Sequence, residues 1–255
     1  MPDVHPAAAT GYARAARAYE GGRPDYPAAL QDWLTGPLGL GPGRVAVDLG
    51  AGTGKFTARL AATGARVIAV EPVAAMRAEL SARLPGVEAI EGRAQAIPLP
   101  DASVDALTCA QAFHWFATPE ALAEIARVLR PGGKLGLIWN IRDERTPWVA
   151  GLTRIMEVHE GDAPRFHTGA WRRVFPDPRF PTLDETLFDH AHVGPFDSVV
   201  VDRVMSVSFI ASLPEPEQAK VRARIEALAD SDPALAARGE VRFPYRTLAV
   251  CAARA

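Results

Sequence analysis

Three groups of residues in this chain have types and spacing suited to chemistry. Gly50-Ala51-Gly52-Thr53-Gly54 sets glycines at alternate positions between a short apolar run and a helical pattern, Glu71 ends the next apolar run, and His114 stands among aromatics beyond a later one. A loop without Cβ atoms lets a ligand come close to main-chain N–H groups, and the N-terminus of the helix behind it favours negative charge. A carboxylate at the end of the neighbouring strand is placed to accept two hydrogen bonds from a ribose diol. An imidazole titrates in the range useful for taking a proton from a hydroxyl or amine.

Loops of this kind serve three cofactor classes, and spacing separates them. Aligned on Gly54-Lys55, a phosphate-binding Gly-x-x-x-x-Gly-Lys-Ser/Thr loop puts its first glycine on Leu49 and its hydroxyl on Phe56. A dinucleotide Gly-x-Gly-x-x-Gly beginning at Gly50 puts its third glycine on Lys55. What remains is Asp-x-Gly-x-Gly-x-Gly from Asp48.

The elements that must position these groups are set by apolar periodicity and breakers. Strands are predicted at Val45 to Leu49, Arg66 to Glu71, Val87 to Glu91, Val104 to Cys109 and Lys134 to Asn140. Helices are predicted between them at Lys55 to Thr63, Val73 to Leu84 and Pro119 to Leu129. Near-continuous apolar strands alternating with helices indicate a doubly wound α/β fold, its parallel sheet covered on both faces. Ahead of this lie two helical stretches, Tyr12 to Tyr19 and Ala28 to Leu34, separated by Gly21-Gly22-Arg23-Pro24. After Asn140 the rhythm changes. Arg142 to Asp184 is rich in Arg, Pro and Trp, with one helix near Val149 to His159, and reads as an insertion over the site. A strand at Thr186 to Val193, helices at Ser198 to Ile210 and Glu215 to Leu228, and a last strand at Arg246 to Ala252 complete the chain.

The 255 residues are 48% hydrophobic and 23% charged, which excludes a disordered or fibrous chain. Lys plus Arg 28 against Asp plus Glu 30 leaves none of the basic excess that a nucleic-acid partner requires. The most apolar stretch, Val199 to Leu213, is broken by Asp202 and Arg203 and is too short for a membrane span. The first twenty residues do not read as a secretory signal, and the two cysteines fit a reducing compartment, so a cytoplasmic address is expected.

Val47-Asp48-Leu49-Gly50-Ala51-Gly52-Thr53-Gly54-Lys55-Phe56 resembles motif I of the class I S-adenosylmethionine-dependent methyltransferases. Gly92 to Pro100 followed by Ser103-Val104-Asp105 is similar to their adenine loop and fourth strand, with Arg93 where many relatives carry an acid. Arg23 to Pro27, Ala110 to Phe116 and Ile138-Trp139-Asn140 look like the small-molecule group that includes trans-aconitate methyltransferase. The resemblance implies a seven-stranded, mostly parallel Rossmann-like sheet with an antiparallel last strand, in one domain. That domain divides into a helical cover (1–40), a cofactor core (44–140), a cap (141–185) and the rest of the sheet (186–255).

It implies S-adenosyl-L-methionine as cofactor, held by Tyr19, Arg23, Gly50, Ala51, Gly52, Gly54, Glu71, Pro72, Met76, Ala94, Gln95 and Gln111. Arg23 equally suits a turn beside Pro24, and Met76 equally suits plain core. Toward the acceptor, a small molecule, the expected residues are Tyr12, Phe113, Trp115, Trp139, Asn140, Arg172 and Arg173. His114 is the catalytic candidate, with three roles open to it: base, orienter of the substrate, or packing against Trp115. The Asn/Asp-Pro-Pro-aromatic signature of nucleobase methylation is absent. His190-x-His192 has metal-ligand spacing without a third ligand, so no metal is expected. Two other functions use the same features: an enzyme that keeps the cofactor without methylating, such as a cyclase or decarboxylase, and a cofactor sensor.

Overall fold

The computed structural model describes residues 24–161 and 164–255. Seven strands form one sheet: β1 (Val45–Leu49), β2 (Arg66–Val70), β3 (Glu88–Ile90), β4 (Val104–Ala110), β5 (Leu129–Arg142), β6 (Asp184–Pro195) and β7 (Glu240–Ala253). Their order is β3-β2-β1-β4-β5-β7-β6. β1 pairs in parallel with β2 and with β4, β2 with β3, and β4 with β5. β7 runs antiparallel: Gly132 at the start of β5 donates to Arg254 O after the end of β7, and Asp143 past the end of β5 donates to Pro244 O near the start of β7. The doubly wound sheet and its reversed last strand are as the sequence implies.

Helices α1 (Leu30–Thr35), α2 (Thr57–Ala61), α3 (Ala74–Arg83), α4 (Pro119–Val128), α5 (Pro147–Glu157) and α6 (Glu215–Ser231) fall within a few residues of expectation. α4 shows why: Thr118 caps it by accepting from Ala121 N, Pro119 occupies its first turn, and Leu122, Ile125, Ala126 and Val128 bury one stripe. One expected helix differs. Ser198 to Ile210 is not continuous but a wide turn over Asp197–Asp202, a single turn at Arg203–Met205, and a short helix at Ser208–Ala211 after an extended Val207. Three β-branched residues in a row, Val199, Val200 and Val201, lose side-chain freedom in a regular helix, and their burial overrides the apolar pattern.

The described residues group into two compact units. One holds 26–140, 164–188 and 247–255, with a core that includes Leu30, Trp33, Leu34, Phe56, Leu60, Val67 and Ile138. The other holds 24–25, 141–161 and 189–246, with its own core around Trp148, Leu152, Val200, Ile225, Phe243 and Tyr245. Inside the second, Gly151 of α5 meets Leu228 of α6 so closely that a Cβ would stand 2.9 Å from Leu228 Cδ1. No helix among the described residues is long and apolar enough to cross a membrane.

Candidate active site

The glycine loop leaves β1 in parallel register with β2, so it emerges beside the end of the strand that delivers Glu71. Gly50 and Ala51 both donate to Val70 O, at 2.8 and 3.3 Å, and Gly54 donates to Ala51 O at 3.0 Å. The main-chain N–H groups expected to face a ligand are therefore largely committed to shaping the loop. Gly52 differs from its neighbours in what surrounds it. It has φ 57°, and a Cβ there would meet only Met76 Sδ at 4.0 Å, so the space above it is open. At Gly50, by contrast, a Cβ would collide with Ala112 Cβ at 2.9 Å. Gly50 is demanded by packing as well as by its own φ of 74°, Gly52 by left-handed backbone beside open space.

Glu71 is 5% exposed and joins the loop to the next helix. Its Oε2 accepts from Gly52 N at 2.9 Å and its Oε1 from Val73 N at 2.9 Å. Burial raises its pKa, opposed by those two N–H groups and by Arg77. A carboxylate has about four lone-pair positions. Two are filled here, which leaves capacity for two hydroxyls. Arg77, which sequence reading passed over, fixes the turn: Nη1 donates to the carbonyls of Glu71 and Pro72, both at 2.8 Å, and Nη2 pairs with Glu91 at 2.7 Å. Met76 is buried beneath the loop at 8% exposure.

Asp48, the motif's acid, is 1% exposed. Its Oδ2 accepts from Thr57 Oγ1 at 2.6 Å, across the loop, and Thr108 Oγ1 lies 3.5 Å from Oδ1. Burial pushes its pKa up to about 7 against those two hydroxyls, with Glu71 adding to the rise. It is a brace between β1 and the start of α2.

The adenine-loop stretch forms a tight turn, with Arg93 and Ala96 exchanging main-chain hydrogen bonds around Ala94, which is buried, and Gln95, which is exposed. Arg127 anchors the residues just after this turn, donating to Ile97 O at 2.9 Å and Leu99 O at 2.8 Å while paired with Glu124 and Asp101. Neither Arg127 nor Glu124 was a sequence candidate; both sit on a helix flank where ion pairs usually mean little.

Gln111 comes directly after β4 with φ 59°, a left-handed conformation in a residue other than glycine. Its amide donates to Asn140 O at 3.4 Å, and Asn140 Oδ1 accepts from Thr247 Oγ1 at 2.6 Å. His114 lies on a single helical turn, Phe113–Trp115. Trp139 Nε1 donates to His114 Nδ1 at 3.2 Å. Trp139 is 1% exposed and packs on Trp171 and Phe166, with ring centroids at 4.5 and 5.0 Å. Phe113 is fully buried against Phe116 and Phe175, whereas Trp115 is half-buried with Arg165 5.6 Å from its ring. Phe166 and Trp171 are the aromatics that sequence reading missed, because nothing local ties them to Trp139. Arg172 and Arg173 are exposed; Arg172 pairs with Glu185 and covers the Trp171 ring at 4.4 Å. Tyr12, Tyr19 and Arg23 lie outside the described residues.

Residues 47–137 match the methyltransferase-domain family. An uncharacterised methyltransferase-like protein of Schizosaccharomyces pombe is 39% identical over 232 residues, covering 91% of this chain and 90% of that one. An uncharacterised methyltransferase of Mycobacterium tuberculosis is 42% identical over 240 residues, covering 94% and 93%. The chain belongs to the methyltransferase family. Among solved structures, a putative type II methyltransferase from Anaeromyxobacter dehalogenans aligns with TM-score 0.61 at 27% identity, over 91% of this chain and 96% of that one.

This methyltransferase uses S-adenosyl-L-methionine, and the site fits it on its own geometry. The open space over Gly52, the Glu71 carboxylate hydrogen-bonded to that same residue and the buried Met76 beneath form a cradle with a hydroxyl acceptor at its rim. Among the described residues no group of three His, Cys, Asp or Glu side chains is placed to hold a metal.

Proposed function

We propose that this methyltransferase moves a methyl group to a small-molecule acceptor, as one domain working in the cytosol. The observation that carries the reading is the Glu71–Gly52 hydrogen bond, which sets an acid with spare acceptor capacity beside an open glycine. Bound S-adenosylmethionine supplies an electrophilic methyl on a sulfonium. Everything else falls to the chain: Glu71 holds the ribose, Ala94 and Gln95 face the adenine, and Gln111 and Asn140 fix the ends of β4 and β5. In-line displacement needs chiefly alignment and exclusion of water.

Acceptor binding is assigned to His114, Trp115 and Phe166, which are half-buried and backed by the buried Trp139 and Trp171, an aromatic wall suited to a small apolar or planar body. A relative over 104 residues, 38% of each chain, is the malonyl-[acyl-carrier protein] O-methyltransferase of Methylococcus capsulatus, which acts on a carrier-bound acid. The balanced charge of this chain favours a free metabolite over a polyanion. Two free, buried cysteines suit the reducing cytosol.

Of the three roles open to His114, orientation is supported best. With Nδ1 accepting from Trp139, the neutral ring carries its proton on Nε2, which makes that nitrogen a donor rather than a base. His114→Ala is expected to lower turnover by about tenfold, against the 10²–10⁴ of a lost general base, with S-adenosylhomocysteine affinity unchanged.

The deciding experiment incubates the protein with methyl-labelled S-adenosylmethionine and a small-metabolite extract. Label in a low-mass product, with stoichiometric S-adenosylhomocysteine, is the expected result. Binding without S-adenosylhomocysteine formation would overturn methyl transfer in favour of a sensor or a non-methylating enzyme.

A further inference from the structure

In the unit formed by 24–25, 141–161 and 189–246, the buried polar groups share a peculiarity of sign. Arg203 Nη1 and Arg246 Nε are buried there with no hydrogen-bond acceptor, and His190 Nε2 is buried with no partner, whereas among the described residues no buried side-chain oxygen lacks a donor. What this interior lacks is an acceptor.

The donors are organised around Tyr245. Arg203 Nε donates to Tyr245 Oη at 3.1 Å, and the His190 ring lies 5.7 Å from the tyrosine ring. Because its oxygen accepts from Arg203, the Tyr245 hydroxyl keeps its own hydrogen to donate. Arg142, at the end of β5, donates from Nε to Thr153 Oγ1 at 3.2 Å and from Nη1 to Met156 Sδ at 3.7 Å. Burial, then the charge of the nearby Arg203, holds Arg142 below the ordinary arginine value.

The carboxylates that would balance these cations along the chain turn elsewhere. Asp143 is paired with Arg145 at 2.6 Å, and Glu144 reaches Arg142 through one hydroxyl without pairing with it, accepting at 2.8 Å from the same Thr153 Oγ1 to which Arg142 Nε donates. The charges of Glu144 and Glu160 also attract Arg142, without direct contact from either. Among the described residues neither Arg142 nor Arg203 has an ion-pair partner.

We propose that Arg142, Arg203 and Tyr245 form a binding site for a small oxyanion. Two half-buried guanidiniums near one another, one with a fully buried Nη1, are unfavourable until an anion lies between them. A guanidinium fork matches the two oxygens of a carboxylate or the edge of a phosphate. The ligand is small, since Tyr245 and Arg203 Nη1 are buried and both arginines are half-buried. The site stands apart from the reading of methyl transfer and does not rest on it.

The test titrates the complete chain, in chloride buffers of matched ionic strength, with benzoate, succinate, citrate and inorganic phosphate, read by calorimetry and thermal unfolding. At least one of these four binds the natural protein and raises its unfolding temperature, and the carboxylate and phosphate arms tell which oxyanion the site prefers. Arg142→Met and Arg203→Met each weaken that binding by about ten- to a hundred-fold, the worth of one charge-assisted pair. Arg142→Lys and Arg203→Lys keep the charge without the fork, weaken it by a smaller factor, and serve if the methionine variants do not fold. Exposed Arg222→Met leaves it unchanged. No binding of any of the four to the natural protein, or equal binding to the Arg142 and Arg203 variants, overturns the site.

Discussion

In the unit with the glycine loop, both Glu71 carboxylate oxygens meet main-chain N–H groups, the Asp48 carboxylate meets two hydroxyls, and Arg77 and Arg127 satisfy carbonyls and acids together. Around Arg142, Arg203 and Tyr245 of the other unit, cationic nitrogens are buried in excess of anything that receives them; the contrast is between these two networks, and Arg165 of the glycine-loop unit, whose Nε and Nη2 are also buried, stands outside both. Both arrangements belong to ligand binding, by different routes. The first is a closed network in which a ligand uses the leftover capacity of groups that already have a structural duty. The second holds an unmet demand that only a ligand answers. The difference lies also in chain distance: Gly52 and Glu71 are 19 apart, while Arg142 and Arg203 meet only through the fold.

Breaking the closed network has the largest effect. Glu71→Ala strands the Gly52 and Val73 N–H groups and removes the ribose acceptor together. Each charge-assisted bond to the cofactor is worth about 1.5–3 kcal/mol, so S-adenosylhomocysteine should bind at least tenfold more weakly by calorimetry. Unchanged affinity would remove Glu71 from the cofactor site and leave it a purely structural clamp.

Asp48 tests whether the closed network carries a hidden cost. Its native pKa of about 7 lies above the 3.8 of an ordinary aspartate. Below about pH 4 the acid is protonated in both states and costs nothing. As pH rises toward 7 the unfolded chain ionises first, and native stability falls by about 1.4 kcal/mol per pH unit from this group alone. Above pH 7 the deficit is constant. Asp48→Asn removes the dependence, so urea unfolding should show the variant gaining on the natural protein between pH 5 and 7 by a few kcal/mol, then running parallel to it. A difference that does not vary with pH would mean that Asp48 stays ionised in the fold, held by Thr57.

Legibility in the sequence divides along the same line. The alternation of strands and helices and the position of Glu71 came through because the motif is contiguous, and because parallel strands read as apolar runs; the reversed β7 came only with the family resemblance. Arg77, Arg127 and the Phe166–Trp171 contribution to the Trp139 cluster did not, since a side chain's choice among several partners is made by packing rather than by neighbours in the chain. Charge counting misled most around the insertion. Arg172 and Arg173 are expected toward the acceptor, yet Arg172 goes to Glu185; Arg142 has Asp143 next to it in the chain, which in the fold belongs to Arg145. Ser198 to Ile210 failed for a simpler reason, three valines in succession.

The smallest effect expected is also the one that separates the two units by sign. Arg246 sits next to Tyr245 on β7, and its Nε is buried with no acceptor; its charge acts on Asp143, which Arg145 already neutralises. Arg246→Met keeps an unbranched side chain of similar reach while removing the donor and the charge. Deleting a group whose hydrogen-bonding need is unmet relieves a desolvation cost instead of creating one. Thermal unfolding in chloride buffer should therefore show no loss, and a gain of up to about 1 kcal/mol, roughly 2–4 °C for a chain of this size. In the closed unit the corresponding deletion, Glu71→Ala, should lower stability by about 1–3 kcal/mol through its orphaned N–H groups. If Arg246→Met lost stability on that scale too, the two networks would not differ in kind, and the donor excess beside Tyr245 would be a packing requirement of β7 and not the mark of a missing anion.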